Sequence, residues 1–150
     1  VGIGLTFIIG LANILYNIHI NKRTTYINSV TAERVKWINA LRDNVSKFIG
    51  LTYNWVISDV VEGSDESKVM LKEIDQLRIL IQLQLNPDED LGREIISWIA
   101  KASEHTHKSQ KEQLKEVLRG MVTDVQKLLK EEWDKVKNEA ENGRLPTKKT

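Results

Sequence analysis

The chain has 150 residues, 41% hydrophobic and 29% charged, which allows one compact domain and excludes a disordered or low-complexity sequence. A formal net charge of +1 leaves no basic excess of the kind a nucleic-acid surface needs, so no direct nucleic-acid contact is expected. The absence of cysteine removes disulfides, thiolate zinc sites and a Cys nucleophile.

The charge is unevenly placed. Residues 1–21 carry none, and all 22 Lys/Arg and 21 Asp/Glu follow them. As a helix rising about 1.5 Å per residue, this run would reach about 30 Å, the thickness of a bilayer hydrocarbon core, so it reads as one transmembrane helix. Lys22 and Arg23, followed by Arg34 and Lys36, mark the cytoplasmic boundary and place the C-terminal body inside, at the inner membrane of a bacterium. Val1 rather than methionine opens the sequence, which puts the natural start upstream. Within the run, Gly2, Thr6, Gly10, Asn13 and Asn17 are 4, 4, 3 and 4 residues apart and share one helix face. Asparagine amides are costly in hydrocarbon and normally face another helix or water. The stripe is therefore expected to pack spans together or to line a pore.

No Gly or Pro falls between Gly10 and Gly50. Ile27, Val30, Arg34, Ile38, Leu41, Val45, Phe48, Thr52, Val56 and Val60 recur at steps of three and four, which predicts a long amphipathic helix continuing from the span to about Val61. EGSDES at 62–67 is a loop, with Gly63 as a C-terminal stop and Ser64 or Asp65 as the next N-cap. Met70, Ile74, Leu77 and Ile81 mark a second helix, which ends at Asn86-Pro87. Asn86 is placed as the N-cap of a third helix with Pro87 in its first turn and Glu89 at the capping-box position. Its face is Leu91, Ile95, Trp98, Ile99 and Ala102, followed by the polar run 103–112. A last helix extends from about Leu114 to Ala140, and residues 143–150 read as a flexible tail. The expected architecture is all-α: one transmembrane helix at 1–21 and a cytoplasmic domain at 22–142 built as an up-and-down bundle of four helices.

Catalytic signatures are missing. His105 and His107 would point about 200° apart on a helix, and Glu104 is the only carboxylate close to them in sequence, so neither a metal site nor a cofactor is expected. There is no Gly-rich phosphate loop, no G-x-S-x-G and no H-E-x-x-H, so an enzyme is not expected. Asp43, Asp59, Glu62, Asp65 and Glu66 fit helix surfaces and caps. Trp37, Trp55, Trp98 and Trp133 suit a core and subunit contacts equally.

Three stretches taken together, Trp37-Ile38-Asn39-Ala40-Leu41-Arg42, Leu83-Gln84-Leu85-Asn86-Pro87, and Lys130-Glu131-Glu132-Trp133 with Val136-Lys137, resemble a widespread family of small bacterial single-span helical membrane proteins. In outline the chain is also similar to the accessory membrane-pore proteins of type VI CRISPR systems. That resemblance implies a ring-shaped homo-oligomeric pore in the bilayer, a role in antiphage defence and a CRISPR effector as partner. The HEPN-like Arg/His motif of those proteins has no counterpart here, since no arginine has a histidine four to six residues downstream. The expected function is thus a membrane pore or membrane-perturbing accessory effector, and the alternative is a non-conducting, membrane-anchored helical scaffold.

Overall fold

The computed structural model describes residues 2–142, with side chains described from 9 to 141. Four α-helices follow one another: α1 (Gly2–Ile57), α2 (Asp65–Gln84), α3 (Asp90–Glu104) and α4 (Lys111–Asn142), the last entered through a 3-10 turn at Lys108–Gln110. No strand occurs among the described residues. The all-α expectation and the four long helices are therefore correct. The flexible tail expected at 143–150 lies outside the described residues.

The transmembrane helix is not supported. Among the described residues no helix is long and apolar enough to cross a membrane. Asn13, Tyr16, Asn17, His19 and Asn21 interrupt the aliphatic residues of this stretch, and amide and imidazole groups are expensive in hydrocarbon. The transmembrane helix expected at 1–21 falls with this correction.

The helix ends follow local chemistry. Helix α1 stops at Ile57, before the expected Val61: the Ser58 N–H still donates to the Asn54 carbonyl at 2.9 Å, and the β-branched Val60 and Val61 disfavour another turn. Gly63 then takes φ +85°, a left-handed conformation that suits glycine. Ser64 caps α2 by accepting from the Ser67 N–H at 3.2 Å, and the Ser67 hydroxyl donates back to the Ser64 carbonyl at 2.8 Å. Helix α3 starts later than Asn86, at Asp90. The Asn86 side chain instead accepts from the Asp88 N–H at 3.1 Å, an Asx turn that uses up the expected cap oxygen one turn too early.

The chain forms two compact units, one of Val1–Val35 with Asp134–Thr150 and one of Lys36–Trp133. In the second, Leu41, Phe48, Ile81, Ile95, Leu114 and Met121 are almost wholly buried and tie its four helical segments into one core. The Trp37 indole N–H donates to the Gln84 carbonyl at 2.9 Å, so the early part of this stretch of α1 meets the end of α2, as in an antiparallel pair. At the other end of the stretch, Lys108 reaches Asp59 at 3.0 Å. Trp98 holds α3 against α4: its indole N–H donates to Asp124 at 2.8 Å, its ring lies over Gly120, and the Lys101 ammonium stands 4.2 Å from the ring centroid.

A Cβ at Gly120 would meet the Trp98 ring at 2.7 Å, whereas one at Gly50 would meet nothing within 4 Å. Gly120→Ala is expected to cost about 1–3 kcal/mol and Gly50→Ala to add about 0.5–1 kcal/mol, read from urea midpoints. Lys127 beside Asp124, and then the Trp98 N–H, hold the Asp124 carboxyl below the ordinary carboxylate range. Ionised Asp124 therefore stabilises the fold above about pH 4, and this contribution is lost as the pH falls through the depressed value. Asp124→Asn should lower the unfolding midpoint at neutral pH, with the gap from the parent closing in strong acid.

Candidate functional site

Three features of the described residues could carry function: the uncharged start of α1, a buried ionic contact, and the loops that hold the histidines. The histidine loops offer little. His105 caps the end of α3 and His107 precedes the 3-10 turn. Among the described residues no group of three or more His, Asp or Glu is gathered where it could hold a metal ion. On α2 an open groove runs over Lys72, Asp75, Gln76, Ile79 and Leu80, all from a single helix face.

The ionic contact lies in the unit of Val1–Val35 with Asp134–Thr150. The Glu139 carboxylate is fully buried, accepts from the Thr31 hydroxyl at 2.7 Å and pairs with the Arg34 guanidinium at 3.0 Å. Ile27 and Val136 are buried in the same unit. A carboxylate out of water is tolerated only where its oxygens are met, so this contact fixes how α1 and the end of α4 register within the unit. Sequence reasoning placed Arg34 on the apolar face of α1 but did not find its partner. The available signal was a lone cation at a core position of α1, matched by an acid three residues beyond the core position Val136.

The uncharged start of α1 is the remaining feature. Every described side chain from Ile9 to Tyr26 is exposed, on all sides of the helix. Ile9, Leu11, Ile14, Leu15 and Ile18 keep 47–60% of their surface in water. Full burial of such a side chain is worth about 1.5–3 kcal/mol, so covering the exposed half of each would contribute about 1 kcal/mol apiece. Of the predicted stripe, Gly10, Asn13 and Asn17 lie on one exposed face, and a Cβ at Gly10 would meet nothing within 4 Å. Gly2 and Thr6 belong to the same helix, with side chains outside the described residues. Lys22 and Arg23 are exposed just beyond the uncharged run. A helix apolar around most of its circumference normally belongs inside something larger, and contiguous exposed apolar surface marks an interaction site.

Comparison with known proteins finds no matching family model, no matching curated protein and no matching solved structure, so no family is assigned.

The buried contact makes a further prediction. Removing one partner of a buried ion pair strands the other, at about 3–5 kcal/mol. Since the Arg34 side chain keeps one-fifth of its surface in water, Glu139→Ala should fall at the low end, about 3 kcal/mol. The double change Arg34→Met with Glu139→Leu should recover most of the loss in the same denaturation assay.

Proposed function

We propose that this protein is a non-catalytic helical scaffold that self-associates through the uncharged first part of α1, leaving the helical bundle of Lys36–Trp133 to engage further partners. The observation that carries this reading is the exposure of every described side chain from Ile9 to Tyr26, in a stretch where no charge precedes Lys22. Isolated helices of about 12–15 residues are marginal in water and owe their stability to packing. A stretch this apolar gains both packing and helicity when another helix covers it. Absence of charge also narrows the choice of partner, because a charged surface would lose its hydration against Ile9–Asn21 with no ion pair in return.

Light scattering on the full chain tests the proposal. The expected mass is a multiple of the 17.2 kDa chain. Ile14→Glu with Ile18→Glu should bring it down to one chain while leaving the unfolding of the Lys36–Trp133 core unchanged, since both positions are exposed and outside that unit. A parent chain that stays at 17.2 kDa up to high micromolar concentration would refute self-association.

A further inference from the structure

We draw no further inference here: the strongest candidate, the apolar surface patch that Val69, Ile79, Leu80 and Leu83 form along the exposed face of α2 beside its open groove, is an unpartnered helix face, and nothing in the structure shows what covers it.

Discussion

The structure depends on keeping one face of a single helix out of water. In the unit of Lys36–Trp133, the residues of α1 from Ile38 to Val56 on this face are almost wholly buried, and α2, α3 and α4 each contribute the complementary side chains, such as Ile81, Ile95 and Met121. Deleting any one of these aliphatic groups would leave a cavity lined by the others, because protein interiors pack as densely as organic crystals. Loop chemistry sets where two of the remaining helices start. Ser64 and the Asn86 turn set where α2 and α3 begin, and both act through side-chain oxygens on nearby backbone N–H groups.

Glu139 shows why that face is not simply greasy. A hydrophobic side chain in its place would bury more apolar area at less desolvation cost, and buried ion pairs are often replaceable by packed aliphatics without loss. What the charged arrangement adds is discrimination. Thr31 and Arg34 lie one turn apart on α1, and only one axial position of the end of α4 lets a single carboxylate meet both. A slip by one turn in either direction would bury the carboxylate against an aliphatic position. Trp98 does the same on a neutral scale, since its indole N–H finds Asp124 only when its ring sits in the space left by Gly120.

Much of this was legible in the residues alone. The four helices, the Ser64 cap, the loop around Gly63 and most of the buried positions follow from periodicity and turn chemistry, both of which are local. The start of α3 was not legible, because Asn86-Pro87 is equally good as a cap and as an Asx turn, and only the later contacts of Arg93 with Asp90 and the Pro87 and Asp88 carbonyls decide between them. The Glu139 and Asp124 contacts were missed for a different reason. Each joins residues far apart in sequence, 108 positions for Thr31–Glu139 and 26 for Trp98–Asp124, and no local pattern encodes which acid meets which donor.

The start of α1 explains how one sequence pattern supported a membrane span. An uncharged helix with aliphatic side chains on most sides satisfies a hydropathy argument whatever covers it, because lipid tails and the apolar face of another helix are nearly the same solvent. The polar positions are what separate the two. A lipid-facing amide has no partner, whereas Asn13 and Asn17 continue a spacing that is already occupied by helix contacts from Ile27 onward. In water such amides also remain solvated when the helix is uncovered. Pairing of a uniformly aliphatic segment would have no preferred register, since an apolar surface meets any other apolar surface about equally well. Under the self-association proposed above, the same two asparagines that weaken the case for a bilayer would give helix pairing a specificity that aliphatic residues alone could not.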